Sequence, residues 1–270
     1  MTTLITGATG HLGSLILRHA LTRLPADRLA VSVRDPRKAE GLGVEVRPGD
    51  FDGPLAEAFA GVETLLMVSV DGPDEIRVRR HLAAVRAAAD AGVRHIVYTS
   101  VTDADTSPLL LARVHKATED AIRATGIPFT FLRNGMYHEN YLPHGPGPIV
   151  SAAGDGRIAS ASRDDLALAA AVVLSTPGHE NTAYELTGPR AWSFDELAAL
   201  AGTTHERVAA ADRVAALEGF GLPGFLVELL ADVETNIARG ALAEVRPDLE
   251  KLIGRPATTI EDAVRAANPA

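Results

Sequence analysis

Thr6-Gly7-Ala8-Thr9-Gly10-His11-Leu12-Gly13 follows the apolar run Thr3-Leu4-Ile5 and leads into Leu15-Ile16-Leu17-Arg18-His19-Ala20-Leu21. The order is strand, glycine-rich turn, helix. Glycines let the backbone turn tightly and approach a diphosphate, and the N–H groups and dipole of a helix N-terminus face the anion. A lone Gly-x-x-Gly-x-x-Gly is weakly specific. Here it ends a first strand and is followed by further βα units, the context that a dinucleotide site requires. A tight βα turn without a ligand is the alternative.

Outward from that stretch the pattern repeats. Residues 28–34 read as a second strand, stopped by Asp35-Pro36, and 44–47 as a third, ending at Pro48-Gly49-Asp50. The run Thr64-Leu65-Leu66-Met67-Val68-Ser69 is continuously apolar up to its end, as a parallel strand buried on both faces would be. Residues 76–91 have helical spacing, 95–100 form a fifth strand, 113–124 a helix and 129–133 a sixth strand. This alternation predicts an α/β Rossmann fold, a doubly wound parallel sheet with right-handed crossovers.

The regularity breaks at residues 143–148, Pro-His-Gly-Pro-Gly-Pro. Gly154-Asp155-Gly156 reads as a turn between short strands, residues 162–174 as a helix and 183–187 as a late strand. Ser162 with Asp165, Ser193 with Glu196 and Thr259 with Asp262 stand at capping-box spacing. The expected organisation is an NADP-binding Rossmann domain over 1–142 and a smaller, mostly helical substrate lobe over 143–270. Segments near 158–188 are expected to return to the first domain.

The 270 residues are 46% hydrophobic but only 4% aromatic, so the core is built from Ala, Val, Leu and Ile. A net charge of −9 argues against a nucleic-acid surface and favours a small ligand. Without cysteine there are no disulfides, thiolate chemistry or cysteine metal sites. No metal site is expected. No apolar run reaches transmembrane length and no signal peptide is evident, so a cytoplasmic protein without membrane contact is expected. A homo-oligomer is left open.

The end of the second strand carries the cofactor choice. An acid there selects NAD through the ribose 2′-hydroxyl, whereas an arginine accommodates the 2′-phosphate of NADP. The sequence is Val33-Arg34-Asp35-Pro36-Arg37-Lys38. Arg34 favours NADPH, with NADH as the other option, and Asp35 is read as a turn residue before proline. Asp50 and Phe51 follow the third strand, where Asp50 would accept from the adenine amino group and Phe51 would pack on the ring. A turn Asp and a core Phe are the other reading. His11, within the glycine loop, is read as a phosphate-positioning residue.

An absence narrows the chemistry. Ketone reduction in short-chain dehydrogenases uses Tyr-x-x-x-Lys, in which lysine lowers the tyrosine pKa. None of Tyr98, Tyr137, Tyr141 and Tyr184 has lysine four residues on, and counting back from Lys116 lands on Ala112. A quinone places a smaller demand on the acid, because hydride transfer yields a hydroquinone anion far less basic than an alkoxide. His115 and Glu119, at i and i+4, read either as a proton relay or as a helix-surface pair. Arg133-Asn134-Gly135-Met136-Tyr137-His138-Glu139-Asn140-Tyr141 leaves the sixth strand at the ligand end of the sheet. There Asn134 is expected beside the nicotinamide, with Tyr137 or Met136 shaping a slot for a flat acceptor. A merely structural strand exit is the other reading.

These residues resemble the NmrA-like branch of atypical short-chain dehydrogenases/reductases, and within it the type 2 NAD(P)H:quinone oxidoreductases, which are flavin-free. The likeness is carried by Ile5 to Gly13, Val33-Arg34, Tyr98-Thr99-Ser100 with Ala104 to Pro108, and His115 with Thr118-Glu119. It continues through Leu132 to Gly135 with Tyr137, Glu139 to Leu142, Ala152 to Gly156, Ile158 to Ala161, and Leu252-Ile253-Gly254 with Pro256 and Thr258-Thr259. The resemblance implies NADPH binding by Thr6, Gly7, Ala8, Thr9, Gly10, His11 and Leu12, by Arg34, and by Asn134, Gly135, Met136, Tyr137, His138 and Glu139. Ser69 and Arg163 carry over as further cofactor residues. It also implies direct hydride transfer to a quinone with no flavin. Tyr137 and His115 are the candidate catalytic residues. Two departures concern the substrate mouth: 143–148 is short and proline-rich, and Met136 stands where the family pattern has tryptophan. Two other functions stay open: a non-catalytic NADP(H)-binding redox sensor of the NmrA type, and a reductase dedicated to an aromatic polyketide quinone.

Overall fold

The computed structural model describes residues 2–143, 145 and 147–267; His144 and Pro146, within the proline-rich departure, lie outside the described residues. The first half runs β1 (Thr2–Thr6), α1 (His11–Leu21), β2 (Leu29–Val33), β3 (Glu45–Pro48), α2 (Ala56–Phe59), β4 (Val62–Met67), α3 (Asp74–Asp90), β5 (His95–Val101), α4 (Leu110–Ala124) and β6 (Phe129–Asn134). The second half contains β7 (Ile149–Ser151), β8 (Arg157–Ile158), α5 (Arg163–Ser175), β9 (Thr182–Leu186), β10 (Trp192–Ser193) and α6 (Phe194–Leu200). It ends with β11 (His205–Arg207), α7 (Ala210–Gly219), α8 (Gly224–Ala238), α9 (Asp248–Ile253) and α10 (Ile260–Ala267).

The main sheet has the order β3-β2-β1-β4-β5-β6-β9, and every pairing in it is parallel. The chain winds outward from β1 to β3, then resumes at β4 on the other side of β1. That reversal opens a crevice at the carboxyl ends of β1 and β4, where open α/β sheets bind ligands. The doubly wound Rossmann expectation is met.

Strand alternation sorts the core into two layers. Ile5, Val31, Leu66, Val97 and Leu132 face one side and pack with Ile16, Leu17 and Ala20 of α1 and Leu166, Ala167, Ala170 and Val173 of α5. Their neighbours Leu4, Ala30, Leu65, Ile96 and Phe131 face the other side, against Phe59 of α2, Ala84, Val85 and Ala88 of α3 and Ile122 of α4. Each fully buried Leu or Ile contributes about 1.5–3 kcal/mol. A third cluster surrounds Trp192, whose ring is fully buried and whose Nε1–H donates to Ser160 Oγ at 2.9 Å.

Gly154-Asp155-Gly156 stands, as expected, at a turn between two short strands, β7 and β8, which pair with β11 (parallel) and β10 (antiparallel) rather than with each other. Two local expectations are corrected. Ser69 lies beyond β4, because its N–H donates to Thr99 Oγ1 instead of continuing the ladder. Ser162 caps α5 by accepting from Asp164 N–H, but Asp165 does not return the bond. Its carboxylate is buried and accepts from Thr258 N–H and the Arg255 guanidinium. Thr259 and Asp262 do form the reciprocal pair, with Thr259 Oγ1 accepting from Asp262 N–H at 3.1 Å and Asp262 Oδ2 from Thr259 N–H at 3.4 Å.

Candidate functional site

A cleft of about 700 Å³ runs across the carboxyl end of the sheet at the strand reversal. Its floor is the glycine turn. Gly7 has φ +65°, a left-handed conformation that disfavours side chains, and its carbonyl accepts from Gly10 N–H at 2.9 Å. A Cβ on Gly13 would stand 2.1 Å from that carbonyl oxygen, so α1 can start this close to β1 only with glycine there. No side chain caps α1 at Gly10, which leaves the first-turn N–H groups for an anion. This uncapped, close-packed cradle fits the diphosphate of a dinucleotide.

Of the sequence-predicted cofactor residues, Gly7, Thr9, Gly10, His11, Leu12, Arg34, Asp50, Phe51, Ser69, Tyr137 and Arg163 line the cleft. At the β2 end, Arg34 and Lys38 are exposed and make no side-chain hydrogen bond or ion pair among the described residues. Arg37 is occupied: its Nε and NH2 donate to Asp35 at 2.9 and 3.0 Å. The same hydrogen bonds hold the Asp35 carboxyl below its usual pKa. Asp35 also accepts from Arg37 N–H as the cap of a short turn of helix, the role expected of it. The acid that could oppose a phosphate is thus matched by its own arginine, and two cations remain at the cleft.

Other predicted residues lie elsewhere. Thr6 is behind the wall, where its Oγ1 accepts from Val68 N–H at 3.0 Å, and Ala8 is buried in the core. The β6 exit explains most of the rest. Tyr137 bridges to Ala161, with Ala161 N–H donating to Met136 O and His138 N–H to Ala161 O. This extended backbone sends alternate side chains to opposite sides. Tyr137 faces the cleft. Met136 packs into the Trp192 cluster, and with Gly135 borders a separate cavity of about 20 Å³. His138 is sealed, bonded to Ser160 Oγ and Thr258 O at 2.7 and 3.0 Å. Met136 therefore does not shape the slot expected of it. Asn134 is buried at the end of β6, and its Oδ1 has no protein partner. Glu139 accepts from Arg163 N–H at 3.0 Å at the start of α5 and so acts on the cleft through Arg163.

Tyr137 and Arg163 form the polar end of the cleft. The guanidinium lies 5.0 Å from the Tyr137 ring centroid and donates to Asn140 Oδ1 at 2.5 Å. Burial raises the Tyr137 pKa, opposed by the Asn134 side chain and by the charge on Arg163. The phenol is therefore protonated at neutral pH.

His115 does not reach this end. The buried face of α4 carries Val114, His115, Thr118, Glu119 and Ile122 toward the sheet. There Nε2 of His115 faces Arg77 NH2 at 3.3 Å and Nδ1 faces Tyr98 OH at 2.9 Å. Glu119 turns to Arg133 and Ser100 instead, accepting from Arg133 Nε at 3.0 Å and Ser100 Oγ at 2.6 Å. The i, i+4 relay is absent, and burial followed by the charge on Arg77 holds His115 well below its usual pKa. A neutral, sealed imidazole cannot supply a proton to the cleft.

Sequence reasoning missed Val70, Asp71, Arg80 and Asn140, which also line the cleft. Arg80 reaches it from α3, where its Nε donates to Asp52 at 2.8 Å. Asn140 had a signal, since it lies in the polar run after β6. Arg80 had none, because only the packing of α3 brings it there. Among the described residues no cluster of His, Asp or Glu is arranged to hold a metal ion, and no helix is long and apolar enough to cross a membrane.

Comparison with known proteins places this geometry. Residues 7–177 match the family model described as NAD(P)H-binding. The chain is 43% identical to quinone oxidoreductase 2 of Escherichia coli, covering 96% of each chain. It superposes on the NADPH-dependent quinone oxidoreductase of Escherichia coli in complex with NADPH with a TM-score of 0.93. The identity there is 42%, over 98% of this chain and 99% of the other. It matches the Citrobacter triphenylmethane reductase in complex with NADP(H) with a TM-score of 0.94. The identity there is 39%, over 99% of this chain and 100% of the other.

Proposed function

This chain belongs to the NAD(P)H-binding, NmrA-like family of reductases, and we propose that it is a flavin-independent quinone reductase that prefers NADPH. The observation that carries the cofactor choice is the pair of unengaged cations, Arg34 and Lys38, beside an aspartate already matched by Arg37. A charge-assisted bond from Arg34 to a 2′-phosphate contributes about 1.5–3 kcal/mol. The division into 1–142 and 143–270, with segments near 158–188 returning to the first unit, assigns these cations, Tyr137 and Arg163 alike to the first unit. The protein is taken to act in the cytosol.

NADPH bound along the cleft supplies the hydride. The glycine turn and the uncapped start of α1 hold the diphosphate, while Asp50 and Phe51 take the adenine end. Ser69 and the wall beside it face the middle of the cofactor. Tyr137, kept protonated by burial, delivers one proton to the hydroquinone anion and recovers it from solvent. Arg163 stabilises the anion while it carries charge, held in place by Glu139 and Asn140. The balance is one hydride and one proton onto the quinone, yielding hydroquinone and NADP+. Absence of a Tyr-x-x-x-Lys pair suits this acceptor, which needs a weaker acid than a ketone does.

The activity of the related quinone oxidoreductase supports the substrate class. Steady-state kinetics with NADPH and NADH against a panel of simple and aromatic polyketide quinones test it, with the absorbance spectrum of the purified protein as a check for flavin. Turnover without flavin absorbance is expected. Tight NADP(H) binding with no turnover of any quinone would replace this reading with that of a redox sensor.

A further inference from the structure

Three consecutive backbone N–H groups lead from the end of β4 into the cleft wall, and each is held by a side chain from a different element. Val68 N–H donates to Thr6 Oγ1 of β1 at 3.0 Å. Ser69 N–H donates to Thr99 Oγ1 of β5 at 2.9 Å. Val70 N–H donates to His81 Nε2 of α3 at 3.0 Å, and the Val70 carbonyl accepts from Arg77 Nε at 2.8 Å. Both peptide groups of Val70 are thus clamped from behind, while Val68, Ser69, Val70 and Asp71 face the cleft.

The two clamping residues are costly ones to bury. His81 is fully buried, and because its Nε2 accepts, the ring is neutral with its proton on Nδ1, which donates to Thr118 Oγ1 at 2.9 Å. Arg77 is 6% exposed. Beyond Val70 O its contacts are the neutral His115 at 3.3 Å and the half-exposed Asp74 at 3.6 Å. A buried cation with so little counter-charge is expensive. The same face of α3 continues with Ala84, Val85 and Ala88, which fill space without that expense. What Arg77 and His81 add over apolar residues is a donor and an acceptor aimed at one peptide of the wall.

We propose that His81 and Arg77 are positioning residues for the cofactor, fixing the 68–71 wall so that the middle of the cleft is formed before NADPH arrives. This rests on the reading of the cleft as an NADPH site. With the wall preformed, no binding energy is spent ordering it. Without the acceptor, the half-buried Val70 N–H loses its partner and the wall must move to satisfy it.

The test measures NADPH affinity directly, by fluorescence titration of the nicotinamide, together with KM and kcat of quinone turnover. In His81→Leu the dissociation constant and KM for NADPH should rise about ten-fold, with kcat at saturating NADPH held within about three-fold. His81→Gln places an amide oxygen near the position of Nε2 and should recover most of the affinity. His95→Gln is the control for losing a half-buried histidine that is hydrogen-bonded to Thr130 at the opposite end of the sheet. It should lower the thermal midpoint and leave NADPH affinity alone. Equal weakening by Leu and Gln at position 81, or affinity within about two-fold of wild type in both, overturns the clamp. If His81→Leu does not fold, Arg77→Lys, which keeps a donor for Val70 O, must bind NADPH more tightly than Arg77→Met. A wild-type protein that binds NADPH but reduces no quinone overturns the substrate reading while these binding measurements still decide the clamp.

Discussion

Two tyrosines belong to adjacent strands, Tyr98 in the middle of β5 and Tyr137 just past the end of β6, each beside a cationic side chain, and only one of them can do chemistry on a ligand. Tyr98 on β5 is fully buried beneath α3 and α4, with His115 and His81 around its hydroxyl and Arg77 nearby. Tyr137, just past β6, opens onto the cleft with Arg163 across its ring. Burial raises the pKa of both phenols. The difference is solvent and ligand access: one network fixes a wall, and the other meets what the cleft binds. A perturbed titratable group marks a functional site only when it also faces a cavity.

The sharpest way to break this comparison is to remove each hydroxyl. Tyr137→Phe should lower kcat about a hundredfold, the low end for loss of a general acid. KM for NADPH and the thermal midpoint should change little. A full kcat in this variant assigns the proton to water or to another group. Tyr98→Phe should do the reverse. It leaves the His115 Nδ1–H without its partner in a dry core, which costs about 1–3 kcal/mol of stability. A urea denaturation midpoint reads that loss, and quinone turnover per folded molecule should stay within about three-fold of wild type.

Arg34→Ala probes the other end of the open site. Loss of one charge-assisted bond to phosphate corresponds to about ten- to a hundredfold weaker NADPH binding, with NADH almost unaffected. Equal effects on the two cofactors would remove the 2′-phosphate assignment from Arg34.

Much of the open site was legible because it depends on local backbone rules. A glycine turn between a strand and a helix states its geometry in sequence, and Arg34 is placed by counting to the end of β2. Tyr137 was also legible, since the polar run after a parallel strand falls at the ligand end of the sheet. The sealed network was not legible. His115 and Glu119 have the spacing of a pair on any helix, and only the packing of α4 against β5 and β6 sends them to different partners. Met136 and His138 failed for a related reason: the bridge to Ala161 sets which alternate residues of an extended segment face the cleft. The hydrogen bonds on Val68, Ser69 and Val70 join residues of β1, β5 and α3 to one loop, and no spacing along the chain encodes that.

The sealed network also has its own pH signature, and its sign follows from the histidines. Burial, then the charge on Arg77, lowers His81 from 6.5 to about 3, and His115 moves in the same direction. The folded state holds these rings neutral, whereas the unfolded chain protonates them below pH 6.5. Between about pH 6.5 and 3 the unfolded state binds more protons, so stability rises with pH there and is lost as pH falls. Each such histidine contributes a slope of up to about 1.4 kcal/mol per pH unit. His81→Gln removes one titrating ring and should flatten the slope of unfolding free energy by about that amount between pH 4 and 6. The Tyr137 hydroxyl plays no part in this range, so Tyr137→Phe should retain the wild-type slope. A flattened slope in Tyr137→Phe, or an unchanged one in His81→Gln, would mean that the two networks are not separate in the way their geometry indicates.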